Sequence, residues 1–267
     1  MHVATAATAG PLRLAGYQGE VSILTTALRH LAQRLADAGM ANTLQADVTA
    51  GGEKAAALFA ALEDGSRHIG YMASSYLSAR VPELGVLDLP FSVGDRAAAL
   101  AALDGEAGRL LRDAIVQRTG YQVLGFWDNG FRHLSNGQRP LRRPADCAGL
   151  VIRTLDSAQY RALLAALGFT PVTTDVKDLV QAVESGTVQA QENPLTNLLG
   201  FGLWRHHGHV SLSGHLFGLL LLLCPRVWYD SLSEAERQTL QAAAAEATAL
   251  QRRLAAAQDD EALQRLQ

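Results

Sequence analysis

An arginine at the end of a strand is well suited to holding a carboxylate, because its planar guanidinium offers paired N–H donors to both oxygens. The sequence offers two. Arg153 directly follows the apolar run GLVI, and Arg132 follows the run VLGFW through Asp128, Asn129, Gly130 and Phe131. Open α/β sheets bind ligands outside the carboxyl ends of their strands. Both guanidiniums are therefore candidates for an anion site, joined by the polar pair Glu192-Asn193 after a third strand-like stretch. A competing reading keeps each arginine at the surface or pairs it internally, for example with Asp128 or Asp156.

Other chemistry is poorly represented. The chain has no G-x-x-x-x-G-K-[ST], no G-x-G-x-x-G after its first strand, no G-x-S-x-G and no H-E-x-x-H. Gly51-Gly52-Glu53-Lys54 lacks the spaced glycines and hydroxyl of a phosphate loop and reads as a tight turn. His206, His207, His209 and His215 cluster in sequence, but without metal-site spacing or thiolate company. His206 and His207, beside Trp204 and Arg205, read as a surface loop. Cys147 and Cys224 are the two cysteines, in no metal spacing, and read as buried thiols. No metal and no cofactor is expected.

The elements that must position the arginines follow from the hydrophobic pattern. The chain has 267 residues, of which 48% are hydrophobic and 18% charged, enough for a sizeable core. A net charge of −3 argues against a nucleic-acid surface. Strands are expected at 11–18, 43–49, 68–72, 121–127, 149–153 and 170–173. Helices are expected at 21–38, in a Gly52–Gly65 segment, within 95–119, at 157–167 and at 177–185. The first helix places Leu24, Leu28, Leu31 and Leu35 on one face. The run LFGLLLLLC at 216–224 is too short for a membrane helix, which needs about 20 residues, and reads as a strand buried on both faces. Ser233-Glu234-Ala235-Glu236 is a capping box that opens a long terminal helix. The β-α-β rhythm, repeated on either side of the proline-rich stretch 139–144, predicts two α/β lobes, each a mainly parallel sheet flanked by helices.

Several motifs together carry a resemblance. The segment Trp127-Asp-Asn-Gly-Phe-Arg132, with Asn136, then Arg139-Pro140, then Ala145-Asp146-Cys-Ala-Gly-Leu-Val-Ile-Arg153, is similar to a signature of the TRAP-transporter solute-binding proteins, the DctP family. That signature reads W-x-x-G-x-R-x-x-x-N, then RP, then A-D-x-K-G-L-K-I-R. Further matches are Leu167-Gly-Phe-Thr-Pro171, Gly186-x-Val188, Gln191-Glu-Asn-Pro194 and Pro82-Glu-Leu-Gly-Val-Leu-Asp-Leu-Pro90-Phe91. His215 falls where many members have a histidine opening a strand. The resemblance covers about residues 11–255. Departures are Gln189-Ala190 in place of Asp-Gly, and Cys147, Ala148 and Val151 around the usual lysines.

The resemblance implies a periplasmic-binding-protein-like α/β fold with a ligand cleft between two lobes. Residues 11–127 with 218–254 would form the first lobe, and 128–217 with 255–267 the second. Hinges would lie near Gly125–Asp128 and His215–Leu219. Family members continue past such a helix, so the resemblance implies a second lobe truncated at its carboxyl end. It implies a periplasmic monomer, its export signal removed or absent, that captures a small carboxylate and hands it to TRAP permease membrane subunits for uptake driven by an ion gradient. Arg153 would bind the carboxylate, Arg132 would be a second contact and Asn193 a third. Tyr17, Ser74, Ser75 and Val176 are placed at the site by position, and Asp128 by its place after the strand. Trp127, Phe131, Tyr17 and Phe217 could form an apolar wall, favouring an aromatic or short aliphatic acid over a hydroxylated sugar acid. Two other classes stand beside this one: a small α/β enzyme acting on a carboxylate, and a ligand-sensing module.

Overall fold

The computed structural model describes residues 10–267, so the leader-like opening of the chain lies outside the described residues up to residue 9. The chain divides into two compact units. The first holds the described residues up to Met72, then Ile115–Trp127 and Leu221–Gln251, and the second holds Ala73–Ala114, Asp128–Leu220 and Arg252–Gln267. Residues 73–114 thus go with the second unit.

In the first unit, β1 (Leu12–Ala15) pairs in parallel with both β2 (Asn42–Gln45) and β3 (Ile69–Ala73). Helix α1 (Ile23–Asp37) buries Leu24, Leu28, Leu31 and Leu35, the face read from its periodicity. Ser22 caps it by accepting from the Leu24 N–H, which supplies one of the bonds a helix start lacks. A shorter helix, α2 (Ala57–Glu63), precedes β3.

In the second unit, α3 (Arg96–Asp104) starts at the Asp95 cap, and α4 (Glu106–Thr119) leads toward β4 (Tyr121–Asn136). The strands β5 (Val151–Thr154) and β6 (Thr170–Thr173) flank α5 (Ala158–Ala166) and pair in parallel. Helix α6 (Leu179–Glu184) then leads to β7 (Ala190–Pro194), which pairs in parallel with β5 and antiparallel with β4. Helix α7 (Leu195–Gly200) precedes β8 (His209–Pro225), while α8 (Arg226–Ser231) and α9 (Glu234–Leu266) as far as Gln251 belong to the first unit. The strand order is β2-β1-β3-β8-β4 in the first unit and β8-β4-β7-β5-β6 in the second, because β4 and β8 contribute residues to both.

Two expectations change. The strand expected to stop at Trp127 continues to Asn136, so Arg132 lies within β4 rather than after it. Gly130 permits the continuation by adopting φ +83, a conformation costly to any residue with a Cβ. Likewise Glu192 and Asn193 lie inside β7, opposite Leu134 and His133 of β4. The apolar run of β8 is buried from Leu216 to Cys224 as read, though the strand begins earlier, at His209. No helix among the described residues is long and apolar enough to cross a membrane.

Candidate ligand-binding site

The second unit brings together Arg132, Arg153, Glu192 and Asn193. In the β4–β7 ladder Arg132 sits opposite Pro194, which carries its guanidinium to the Glu192 and Asn193 side of β7. Arg132 grips the Glu192 carboxylate with two prongs, Nε to Oε2 and Nη2 to Oε1, the latter at 2.9 Å. Its Nη2 also donates to the Glu192 carbonyl at 2.8 Å and to Asn193 Oδ1 at 3.2 Å. The two side chains are 3% and 0% exposed. Thr154 donates to the same carboxylate at 3.1 Å, and His215 Nε2 lies 3.9 Å from it. A charge-assisted pair with this many partners is the arrangement that offsets the cost of burying both ions. Arg132 therefore has an internal partner, Glu192, rather than Asp128 or Asp156.

Arg153 differs. It is 2% exposed, its Nε donates to the Thr174 carbonyl at 2.8 Å, and its Nη2 is buried without a partner. No carboxylate forms an ion pair with it among the described residues. Burial pushes its guanidinium below its ordinary value, a shift opposed first by the charge of Tyr76 and then by that of Glu192. Buried polar groups in native proteins are nearly always paired, so this atom calls for an explanation.

The remaining expected residues are scattered. Ser74 and Ser75 are buried in the 3-10 turn Ser74–Tyr76 after β3. Val176 opens the turn Val176–Asp178, two residues past the carbonyl that holds Arg153. Asn193 spends its amide within the protein, accepting from Arg132 and Asn197 and donating to Gln191 at 2.6 Å. Asp128 is fully buried, accepts from the Gly130 N–H at 2.7 Å and pairs with Arg96 at 3.2 Å. Phe217 stacks on Phe131 with centroids 5.0 Å apart and lines an apolar cavity of about 660 Å³ with Leu219 and Leu111.

Tyr17 and Trp127 belong to the first unit. Tyr17 packs on Tyr71 at 5.1 Å between centroids, and its backbone bridges to Asp47. Trp127 is fully buried, 5.4 Å from Tyr71, and donates its indole N–H to Thr248 at 3.1 Å. Its bulk and its one donor are both used in the core, so its role is packing rather than an apolar wall for a ligand.

His207 also departs from the surface reading. It is buried and bonds Ser135 at 2.9 Å, while Ser135 receives Gln191 at 2.6 Å. His206 does lie partly exposed, beside Glu184 at 3.4 Å. Cys147 and Cys224 are buried free thiols. Sequence reasoning did not single out Tyr76, Asp88 or Tyr160. Asp88 carried a signal, standing immediately before the Leu89-Pro90-Phe91 motif.

Comparison with known proteins adds the family. The DctP model, described as bacterial extracellular solute-binding protein, family 7, matches residues 22–267. The 2,3-diketo-L-gulonate-binding periplasmic protein of Escherichia coli K12 is 31% identical over 76% of this chain and 61% of its own length. Among solved structures, the sugar acid binding protein DctPAm of Advenella mimigardefordensis, in complex with galactonate, matches with a TM-score of 0.90 at 26% identity, covering 96% of this chain and 83% of that one. A TRAP periplasmic solute binding protein of Sulfurospirillum deleyianum with bound succinate gives 0.90 at 25% identity, with coverage of 96% and 83%. The chain spans between 38% and 61% of the length of the curated relatives it matches. With the family model running from Ser22 through the last residue, on an α/β fold shared with those structures, the chain belongs to the DctP family of bacterial extracellular solute-binding proteins.

Proposed function

We propose that this protein is an extracytoplasmic solute-binding protein of a TRAP transporter. It captures a small organic acid by its carboxylate and delivers it to the membrane permease for uptake driven by an ion gradient. Arg153 is the observation that carries the reading: a buried guanidinium with an unpartnered Nη2 and, among the described residues, no ion-paired carboxylate. Arg132, already neutralised by Glu192, supports that site rather than supplying its free charge. Galactonate, 2,3-diketo-L-gulonate and succinate, named with the relatives, share a carboxylate, while succinate has little else in common with the two six-carbon sugar acids. A carboxylate is also the group that a lone buried guanidinium pairs with best.

Calorimetry with a panel containing galactonate and succinate tests this. Truncating one partner of a buried charge pair costs about 2–5 kcal/mol, so Arg153→Ala should weaken binding about 30-fold to several thousand-fold. Arg153→Lys should also bind poorly, because an ammonium cannot reproduce the guanidinium fork. A folded Arg153→Ala that binds within threefold of the parent overturns the assignment. The bound acid should be recovered intact after long incubation, since the proposed role contains no chemical step.

A further inference from the structure

Another pocket of the second unit, of about 920 Å³, is lined by neither Arg153 nor Arg132. Its charged side chains are all of one sign. Arg142, Arg143 and Arg265 line it together with three histidines, and no aspartate or glutamate does, in a chain whose net charge is −3. Arg143 and Arg265 are largely exposed and reach Asp146 at 3.4 Å and Glu261 at 3.8 Å, loose surface pairs of the kind that contribute little. Arg142 commits its backbone N–H to Asp146 at 2.9 Å, and its guanidinium has no ion pair among the described residues. The rim is apolar. Phe91, Leu212 and Trp204 line the pocket and stay 66%, 56% and 47% exposed. Arg205 lies 5.2 Å from the Trp204 ring centroid, which adds a fourth cation at that edge. Phe91 is held at a cost. Among the described residues it alone, glycines aside, has a positive φ, at 57°, a conformation unfavourable for any residue with a Cβ. Its N–H donates to the His215 carbonyl at 3.0 Å. Strain kept at an exposed aromatic side chain points to use rather than packing.

We propose that this pocket docks an acidic segment of a partner protein, with carboxylates on Arg142, Arg143 and Arg265 and a large apolar side chain against Phe91, Leu212 and Trp204. Charge complementarity selects an anion, and a guanidinium pairs with a carboxylate through two parallel hydrogen bonds. The apolar rim selects a polypeptide: exposed apolar patches bordered by polar groups mark protein contacts, where Arg and Trp carry much of the binding energy. Concavity argues against a membrane. A flat headgroup layer would meet the exposed arginines but not the floor, which Leu134, Leu141 and Leu167 of the core cluster provide. The proposal does not depend on the carboxylate reading of Arg153.

Fluorescence anisotropy on the full chain tests it, with a labelled peptide in which glutamates flank one phenylalanine. Two control peptides carry lysine for every glutamate, or alanine for the phenylalanine. The parent should bind the acidic peptide about tenfold or more tightly than the lysine control, and raising salt from about 0.05 to about 0.5 M should weaken binding about tenfold as exposed charges are screened. The double variant Arg142→Glu/Arg265→Glu should lose about tenfold or more. Trp204→Ala should lose the preference for phenylalanine over alanine. All three positions are exposed, and circular dichroism matching the parent's shows that the variants fold. Acidic and lysine peptides bound alike, or a folded double variant binding within about threefold of the parent, overturns the proposal. So does failure of the acidic peptide to bind. In that case phosphatidylglycerol vesicles that pellet the parent but not the double variant would assign the pocket to a membrane. Self-association in sedimentation, lost in the double variant, would assign it to a second copy of the chain.

Discussion

Arg132 and Glu192 have almost no contact with water, so each is the other's solvation. Breaking a buried pair by removing one partner typically costs about 3–5 kcal/mol, whereas replacing both with apolar residues of matching volume is far milder. Glu192→Ala should therefore lower stability by about that amount in urea denaturation, and Arg132→Ala should do likewise. The double variant Arg132→Met/Glu192→Leu should recover most of the loss. A Glu192→Ala variant as stable as the parent would show that the pair contributes little to the fold. Arg153 should behave in the opposite way. Among the described residues it has no ion-paired carboxylate to orphan, so Arg153→Ala should leave stability nearly unchanged while abolishing tight binding.

Within β4, Gly130 holds φ +83 between Asp128, whose carboxyl it meets through its N–H, and Arg132. Placing a Cβ in this left-handed region costs about 1–2 kcal/mol. Gly130→Ala should be destabilised by that amount in denaturant titration, and an unchanged midpoint would mean that the backbone flips freely. At the start of α9 the capping box forms as its sequence indicates: Ser233 N–H donates to Glu236 at 2.7 Å, and the Glu236 N–H donates to Ser233 Oγ at 3.3 Å. Ser233→Ala should cost about 1 kcal/mol by the same measurement. Helices α1 and α9 were legible because their signals are local: an apolar face spaced at 3–4 residues and a cap. The continuation of β4 was not, since its partner β7 lies far along the chain and nothing between Asp128 and Asn136 announces that pairing.

For the molecule as a whole, buried titratable groups set the pH profile. Burial holds His133, His207 and His215 down to about 4, from an ordinary 6.5. Between those values the unfolded chain binds protons that the folded one refuses, so their contribution to stability rises with pH across that window. Asp88 and Asp128, pushed up to about 7 and about 6, act in reverse: the folded protein keeps protons that the unfolded chain has released, and stability falls as pH rises toward those values. Near pH about 5 three histidines outweigh two aspartates by one proton, which gives a rise of about 1.4 kcal/mol per pH unit. At about pH 6.5 the half-protonated histidines of the unfolded chain still outweigh Asp88 and Asp128, so the rise flattens and ends only near pH about 7.5. Thermal melts should rise to a plateau at about pH 7–7.5, and Asp88→Asn should steepen the rise below it. A parent profile that declines between about pH 5 and 7 would contradict these shifts. Ligand at a hundred times the parent's Kd should add about 2.7 kcal/mol to the parent, and less than about 1 kcal/mol at the same concentration to Arg153→Ala.

Local pattern by itself determined much of this protein. It gave the α1 face through Leu24, Leu28, Leu31 and Leu35, the doubly buried strand around Leu216–Cys224, the capped start of α9, and Arg153 on a strand where a ligand charge could be held. Each of those features is written in neighbouring residues, where helical or strand periodicity and capping act over a few positions. Only the tertiary structure decided which arginine is free. Arg132 and Glu192 are 60 residues apart, and they meet only in the observed register of β4 on β7, since a slip of one residue turns every side chain to the opposite face. Trp127 reads in sequence as a wall for a ligand, but Thr248, 121 residues away, takes its N–H inside the first unit's core. Asp88 and Tyr160 come together in the same way, 72 residues apart along the chain. Partnership of buried polar groups is a property of packing between distant segments, and no local periodicity encodes it.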